Sequence, residues 1–417
     1  GVFISVGVVV VITLAHDIST VNSTVYGNIA TGSGVMTVSA QSVPELYSSA
    51  FGVTLSGSAA MGGSFAYATT DTIATAEVAN GVVFSGDGKV VVRSETGKGS
   101  DDSYVSAHSK AFAASGGMML GIAGTESDAT NRAQSVAIVG DNVTLPDADL
   151  EVYARNTGVQ VAEADGYFVG AIAGGYQVGL AQSFNSTRVE MGSNPLATPE
   201  RTGSLVLDSN NYNNNQAFTV AGGGGVLSGS AAESNTNSGN YQILNSAGDV
   251  IGEHVAASVT IADWAGGYVA EPIDAGDIVI SAANSVDFFA GTDSTTVSVV
   301  GGSGAVSSAN IANTAKVDIG NNVGLSAFNI DIDATNTAKQ IAIPYNTDFE
   351  TSIYAAGGGA ANGSAGLSRQ HINNLTAEIE LGTDAGLRIT DLAYLSDAIA
   401  GISLDAGTEF YINDHAV

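Results

Sequence analysis

The residues of this chain that could do chemistry are carboxylates spaced two positions apart. They are Asp147 and Asp149, followed by Glu151, and the pair Asp331 and Asp333. Residues two apart on a β-strand point to the same face, so each set could supply oxygen ligands to Ca²⁺ or an acid and a base for cleaving a glycosidic bond. Polar residues are expected at such outward positions in any case. We therefore interpret both sets as solvated faces and as weak calcium candidates.

Other catalytic patterns are missing from the sequence. Elimination chemistry on polysaccharides needs clustered carboxylates with a nearby Arg or Lys base, and the seven arginines do not recur at a regular spacing beside such a cluster. The five histidines show no metal-ligand spacing, and no G-x-S-x-G elbow occurs. We predict that the chain is not an enzyme and has no catalytic residues and no cofactor; a polysaccharide lyase or hydrolase is the alternative.

Two features are candidates for binding a ligand. Trp264 is the only tryptophan and precedes Gly-Gly-Tyr after one alanine, so an exposed indole there could stack on a sugar or on a partner subunit. The stretch SNNYNNNQ at 209–216 could form a ladder of stacked Asn side chains, a sugar-binding loop or a solvated turn. We interpret it as a solvated turn.

Composition excludes several classes of partner. The 417 residues contain 12 basic and 41 acidic side chains, for a formal charge of −29, so phosphates and anionic membrane surfaces are repelled and we expect neither nucleic-acid binding nor membrane insertion. There is no cysteine, which excludes disulfides and thiolate metal sites. With 53 Gly and only 13% charged residues, the mixture favours strands joined by tight turns over helices.

The elements that must position these residues are strands of a repeat. One seven-residue signature starts at positions 34, 88, 148, 203, 276, 328 and 385, which defines a module of roughly 55 residues. Its third and fifth places are always aliphatic or Met, whereas the sixth is never aliphatic. This period of two indicates a half-buried strand. We predict one continuous β-solenoid of about seven modules over 1–417, with module-ending strands at 34–40, 88–94, 148–154, 203–209, 276–282, 328–334 and 385–391.

Two other parts recur in each module. A strand ending in Gly plus Asn or Asp, as in VYGN at 25 and VDIGNN at 317, predicts a corner. Stretches rich in Gly, Ala and Ser, as in VGAIAGG at 169 and VAGGGGVLSGS at 220, are compatible with flexible linkers. Because aliphatic residues interleave with them once per module, we predict strands whose small side chains let backbones approach closely.

The size of one coil is inferred from the C-terminus. TEFYIND at 408 repeats the form of AGLRITD at 385, and this short spacing predicts two or three coils of roughly 20 residues per module. About 17 to 20 such coils, stacked ~4.8 Å apart, would form a rod on the order of 80–100 Å long. The longest interval between signatures, from 203 to 276, contains an insertion near 245–272. We interpret it as an extra coil, with a functional excursion as the alternative.

The opening run GVFISVGVVVVITLA lacks the basic residues and cleavage site of a signal peptide and is too short for a membrane-spanning helix. We interpret it as two consecutive buried strands, as in a piece of a longer protein. An apolar strand at the end of a stack can complete the sheet of a neighbour. Its candidates for self-association are Val2, Ile4, Val6, Val8, Val10 and Ile12.

The repeat at 6–40 resembles those of filamentous-haemagglutinin-like and leukotoxin-like passenger regions of large bacterial exoproteins. Such repeats combine a small-residue apolar strand, a polar N/D-x-T link, a strand ending in IG-D/N and a G-x-V-x-V-x-A strand, and the similarity recurs along the whole chain. The resemblance implies a right-handed parallel β-helix, secretion and adhesion or surface coating. We expect a structural or adhesive segment of an extracellular or cell-surface fibre whose partner is itself; a carbohydrate-binding adhesin that recognises surface glycans is the alternative.

Overall fold

The computed structural model describes residues 5–98, 104–195, 203–244, 249–265, 273–341, 353–373, 375–389 and 401–411. In these ranges the fold is all-β, without helices, and is dominated by one large sheet of 20 strands. The pairings between neighbouring strands of that sheet are parallel. This arrangement is consistent with the predicted β-solenoid.

The strands of the first half are β1 Val6–Val25, β2 Asn28–Ala30, β3 Val35–Ser42, β4 Leu46–Ser56, β5 Ala59–Val78, β6 Val83–Ser85, β7 Lys89–Thr96, β8 Ala107–Gly117, β9 Leu120–Asn131, β10 Gln134–Val139, β11 Leu150–Ser183 and β12 Ser186–Met191. Those of the second half are β13 Leu205–Gly239, β14 Tyr241–Leu244, β15 Val250–His254, β16 Ala257–Ile261, β17 Ile273–Ala312, β18 Thr314–Ile319, β19 Gly324–Gln340, β20 Ile353–Gly358, β21 Ala361–Ile372, β22 Thr376–Leu381, β23 Gly386–Ile389 and β24 Gly401–Tyr411.

A whole module forms one layer of the stack. Following the pairing from β1 across the sheet gives a column with one member in each layer: Val6, Ala59, Leu120, Ile172, Leu227, Val300 and Ala361. Each step along this column covers roughly one module of sequence. The predicted coil of about a third of that length is therefore wrong. Seven layers at ~4.8 Å span about 30 Å, far short of the predicted rod.

Each layer has an outgoing leg and a return leg that lie face to face. In the first layer these are β1 and the pair β3 and β4, and Thr13 Oγ1 lies 2.8 Å from Ser48 Oγ between them. The two legs join at the corner, where large aliphatic side chains such as Val78, Leu150 and Ile280 form the main core. Towards the opposite end, which we call the tip, Ala, Ser and Thr fill most of the space, together with the Phe168 ring in the third layer.

The corners lie where the Gly and Asn or Asp residues predict them, but at Gly140, Gly192, Gly320 and Gly382 the positive φ expected of the glycine falls on the Asn or Asp two residues later. One residue of the turn has a positive φ between 49° and 70° in five layers: Gly81, Asn142, Asn194, Asn322 and Asp384. Side chains at the preceding position can bond to the next layer, as where Asp141 Oδ1 accepts from Ser193 N at 2.7 Å. Adjacent corners therefore hold each other in place.

The Gly-rich stretches are strands, as predicted, and not linkers. Gly175 lies in β11 and Gly223 in β13, on either side of the buried ring of Phe168. A β-carbon at either glycine would lie 2.3 Å from a Phe168 ring atom, well inside van der Waals contact. Only glycine fits these two positions without displacing the ring.

Six of the seven signature strands stack in one column. Met36, Val90, Leu150, Leu205, Ile278 and Ile330 occupy it in successive layers. The seventh signature does not, because Leu387 pairs with Leu325 and the column continues instead at Ile402. The described part of the predicted module-ending strand at 385–391 thus lies outside the signature column, since a short apolar strand does not by itself specify its partner.

The insertion near 245–272 adds a hairpin and not an extra coil. Strands β14 and β15 pair with each other, antiparallel, in a separate two-stranded sheet. The stack resumes directly afterwards at β16, where Ala257 pairs with Thr187 of the layer before. The alternative interpretation, an excursion from the repeat, is the one that the structure supports.

The opening run is also different from its prediction. From Val6 onward it belongs to the single strand β1 of 20 residues, and not to two consecutive buried strands. Along most of β1 the even-numbered side chains are exposed and the odd-numbered ones are partly buried. The strand is therefore only half-buried, because it belongs to an outer layer of the stack.

Residues 209–216 belong to β13 and take part in an Asn ladder, so their interpretation as a solvated turn is wrong. Asn156 Nδ2 donates to Asn211 Oδ1 at 2.7 Å, and Asn211 Nδ2 donates to Asn284 Oδ1 at 2.9 Å. Asn284 Nδ2 continues the ladder to Asn336 Oδ1 at 2.8 Å. All four carboxamides are buried, so every rung satisfies polar groups that water does not reach.

Replacement of Asn284 by Ala should interrupt the ladder. The Asn211 amide and the Asn336 carbonyl oxygen would each lose a buried partner, and we expect the free energy of unfolding to fall by about 2–4 kcal/mol. Asn210→Ala, in the adjoining layer but exposed, is the matched control and should change it by less than about 0.5 kcal/mol. Denaturant unfolding measures both, and equal midpoints would contradict a stabilising ladder.

Candidate functional site

Strand β1 carries a long row of exposed apolar side chains. Val6, Val8, Val10 and Ile12 point outward with 60–64% of each residue exposed, and Leu14 and Ile18 extend the row. We call these six residues the β1 stripe. The remaining predicted self-association residues, Val2 and Ile4, lie outside the described residues. The stripe exists because β1 has apolar residues on both faces, whereas only one face meets the return leg.

A second apolar row lies along the tip. It includes Leu55, Met118, Val169, Val226 and Val297, all of them exposed. Leu55, Met118 and Val169 surround a shallow cavity of about 590 Å³ at this end of the stack. Sequence analysis did not single out these residues, although the aliphatic side chains interleaved with the Gly-rich stretches were the available signal.

Trp264 is not a ligand-stacking residue. It is only 2% exposed and belongs to the main core at the corner, with Val259, Ile261 and Val323. Its backbone N–H donates to Asn321 O at 2.9 Å. The interpretation as an exposed ring is therefore wrong: the indole fills the corner of the fifth layer.

The paired carboxylates have different surroundings. Asp149 Oδ1 accepts from Ser204 N at 2.9 Å, and Glu151 Oε1 accepts from Lys89 Nζ at 2.6 Å, while the Asp147 backbone carbonyl accepts from Gly203 N at 3.0 Å. Asp333 pairs with Asp405 and lies beside Asp331, and burial followed by these two charges raises the pKa of its carboxyl. Within the described ranges, no three His, Asp or Glu side chains are placed to hold a metal ion. Calcium binding stays a prediction.

A cluster of charged side chains lies on the outer face of the return legs. Glu163 accepts from Lys110 Nζ through Oε2 at 2.5 Å, and its Oε1 lies 3.1 Å from His108 Nε2. Burial alone would raise the pKa of Glu163, but the hydrogen bonds from His108 and Lys110 and the charge of Lys110 lower it to about 2. The hydrogen bond to Glu163 raises the pKa of Lys110.

Asp165 follows Glu163 on the same face. It pairs with Phe112 on one side and Val220 on the other, and burial raises the pKa of its carboxyl to about 6, with a smaller rise from Glu163 that opposes the lowering by Lys110. Two carboxyls with separated pKa values can act as acid and base. In this cluster, however, both oxygens of Glu163 are already engaged by His108 and Lys110, so the arrangement is that of an ion network.

Aromatic rings continue the same face towards the first layer. Phe51 and Phe112 stack with ring centroids 4.8 Å apart, and the Tyr167 ring centroid lies 5.9 Å from that of Phe112. Tyr47 meets His108 edge to face at 5.0 Å. These rings and the ion network link the first three layers. Sequence analysis did not find them, because their partners belong to different modules.

Comparison with protein families, curated proteins and solved structures finds no match to this chain. The part of the chain that the structure describes contains no helix with the length and hydrophobicity needed to cross a membrane. The function of this protein therefore has to be inferred from its fold and its surfaces.

Trp264→Ala should be among the most destabilising single substitutions. Removing a buried indole from the corner leaves a cavity, and we expect the free energy of unfolding to fall by about 3–5 kcal/mol. Trp264→Phe should cost less, because among the described residues the indole Nε1 has no hydrogen-bond partner to lose. Chemical denaturation tests this, and an unchanged midpoint for Trp264→Ala would contradict the buried position.

Asp165→Asn should stabilise the protein at neutral pH. A carboxyl whose pKa is raised from 3.8 to about 6 on folding contributes stability below pH 3.8 and loses it as pH rises through 6. We expect a gain of about 1–3 kcal/mol at pH 7.5 that vanishes near pH 4. Asp87→Asn removes the same charge from an exposed position and is the control in thermal melts at both pH values. An equal effect of both variants would show that net charge alone is responsible.

Proposed function

We propose that this chain is a non-catalytic structural segment of an extracellular fibre, and that it self-associates through the ends of its stack. We further propose that the stack is a right-handed parallel β-helix of the adhesin type, on the strength of the repeat resemblance. The observation that carries the proposal is the β1 stripe, on a strand that pairs on one side only among the described residues. An apolar strand with a free edge is a site for strand addition.

Both end layers have unfilled pairing edges within the described ranges. In the first layer β1 pairs with β5, β3 with β7 and β4 with β8. In the last layer β21 pairs with β17, β22 with β18 and β24 with β19. Among the described residues each of these strands has a partner on one side, so its opposite backbone groups are the ones with which a further layer of strands could pair.

The free edge of β1 can be assigned to particular residues. The carbonyl groups of Ser5 and Val25 accept from Ala59 N and Ala79 N of the second layer. Successive residues of a strand turn their backbone groups to opposite neighbours, so the odd-numbered residues of β1 bond to β5. The even-numbered residues, including Val10, direct their N–H and C=O groups to the free edge.

The two ends match strand for strand. The column that begins at Val6 ends at Ala361, and the column that begins at Val25 ends at Leu381. Similarly, the column that begins at Met36 in β3 ends in β24. A second copy placed with its β1 against β21 and β22 would extend these columns. The pairing is head to tail, and such heterologous contacts generate filaments.

Charge sets the conditions for this assembly. A formal charge of −29 makes copies of the chain repel each other at low ionic strength. Salt screens that repulsion over a Debye length of about 10 Å at 0.1 M. We therefore expect assembly to increase with salt or divalent cations. The repeat resemblance supports an extracellular or cell-surface location.

Val10→Pro should block filament growth without unfolding the protein. Proline removes an N–H that points to the free edge and is tolerated on edge strands, so the free energy of unfolding should stay within about 1 kcal/mol of the wild-type value. The matched control is Val11→Pro, which removes an N–H bonded to β5 and should cost about 1–3 kcal/mol.

Negative-stain electron microscopy and sedimentation measure the assembly at low and high salt, with and without Ca²⁺. The wild type should form end-to-end filaments and Val10→Pro should remain dispersed. Dispersed monomers of the wild type at high concentration under all conditions would overturn the proposal, as would filaments of Val10→Pro as abundant as those of the wild type.

A further inference from the structure

The repeat is interrupted most clearly by the hairpin of β14 and β15. Strand β12 pairs with β10 on one side and with β16 on the other, and the hairpin lies in the stretch of chain that precedes β16. The hairpin is fixed to the stack: Arg132 Nη2 donates to Gln242 O at 2.8 Å, and its guanidinium lies 5.7 Å from the Tyr241 ring centroid. Insertions in repetitive folds commonly form the binding face.

A cleft of about 590 Å³ lies between this hairpin and the outer face of the outgoing legs. Its walls carry four carboxamides, one carboxylate and one aromatic ring: Asn237, Asn240, Gln242, Asn310, Glu253 and Phe184. The remaining lining is small or hydroxyl-bearing. The cleft thus combines several carboxamides, each of which carries both a hydrogen-bond donor and an acceptor, with a single aromatic surface.

Two of the carboxamides are held in place by the fold. Asn240 Oδ1 accepts from Thr314 N at 2.9 Å and from Ala256 N at 3.1 Å, and its Nδ2 donates to Glu253 Oε1. Asn237 Nδ2 donates to Gln182 Oε1 at 3.3 Å. These contacts order the floor of the cleft before any ligand arrives, which lowers the entropic cost of binding.

The other two carboxamides are free to bind. Neither the Asn310 nor the Gln242 side chain has a hydrogen-bond partner among the described residues, and both are exposed at the cleft. A carboxamide donates and accepts at the same time, which matches neighbouring hydroxyl groups of a sugar. The partly exposed Phe184 ring packs against Gly239, where a β-carbon would lie 3.3 Å from the ring, and offers a flat apolar surface to the C–H face of a pyranose.

We propose that this cleft binds a neutral oligosaccharide. The ionisable residue of the described lining is the acidic Glu253, and the whole chain carries a formal charge of −29. No cation lines the described walls to compensate a sulfate or a carboxylate, so acidic glycans are disfavoured. Hydroxyl-rich, uncharged sugars satisfy the carboxamides without that cost.

The test uses a glycan array that contains neutral, sialylated and sulfated oligosaccharides, followed by calorimetry with the neutral glycan that gives the highest signal. We expect binding to neutral glycans, and a loss of affinity of about tenfold or more for both Asn310→Ala and Gln242→Ala. Asn210→Ala removes an exposed carboxamide from the return leg and should bind as the wild type does. Thermal melts confirm that all three variants fold.

Three results would overturn the proposal: no neutral glycan bound by the wild type, preferential binding of acidic glycans, or unchanged affinity of both cleft variants. These outcomes do not report on filament formation, because Asn310 and Gln242 belong to β17 and β14 and not to the end-layer strands whose free edges would pair. Failure of this site would therefore leave the self-association proposal intact, and the reverse also holds.

Discussion

Parallel, in-register stacking is the constraint on which the rest of this structure depends. Each residue lies about 4.8 Å from its counterpart in the next layer, so a side chain is surrounded mainly by others of its own column. Aliphatic residues stack on aliphatic residues, as from Val90 to Leu150, and Asn211 stacks on Asn284. A column is stable when its members have similar size and the same hydrogen-bonding capacity, and this requirement generates the repeat.

The same constraint explains how a wide coil avoids an open interior. Near the corner, bulky aliphatic side chains fill the space between the legs, whereas Ala, Ser and Thr fill most of it towards the tip. Between these regions the Asn ladder from Asn156 to Asn336 satisfies its own polar groups along the stack. Each side chain of a column depends on its neighbours in the column for packing and hydrogen bonds. Within the described chain, the first and last members of a column have such a neighbour on one side only. The exposed β1 stripe has a different origin, since it lies on the face of β1 that the return leg does not cover.

Residues that do not stack in a column need not match those of the other layers, so they can form an individual binding site. The hairpin of β14 and β15 has no counterpart to stack on within the described chain, so its residues are not constrained to match another layer. The carboxamides and the aromatic ring of the adjoining cleft are correspondingly varied. By contrast, the charged cluster around Glu163 bridges adjacent layers and forms an ion network on the outer face of the return legs.

Much of the fold could be predicted from the sequence, because an alternation of period two reports directly which face of a strand is buried. The signature strands, the Gly and Asn corners and the role of the Gly-rich stretches all followed from local chemistry. The candidate site was less accessible: Val6 to Ile12 were identified as an apolar strand, whereas the exposed tip residues and the cleft were not. Their neighbours in space belong to other modules, and no local pattern specifies them.

By itself, therefore, the sequence determined that the chain is a repeat of half-buried strands with tight corners. Only the tertiary structure decided that a whole module forms one layer of the stack. It also decided that Leu387 does not continue the signature column and that Trp264 is enclosed in the core. The physical reason is that the alternation of apolar and polar residues shows which face of a strand is buried, but not which other strand it pairs with. Pairing depends on the path of a whole module, and a short strand signature carries no information about the length of that path.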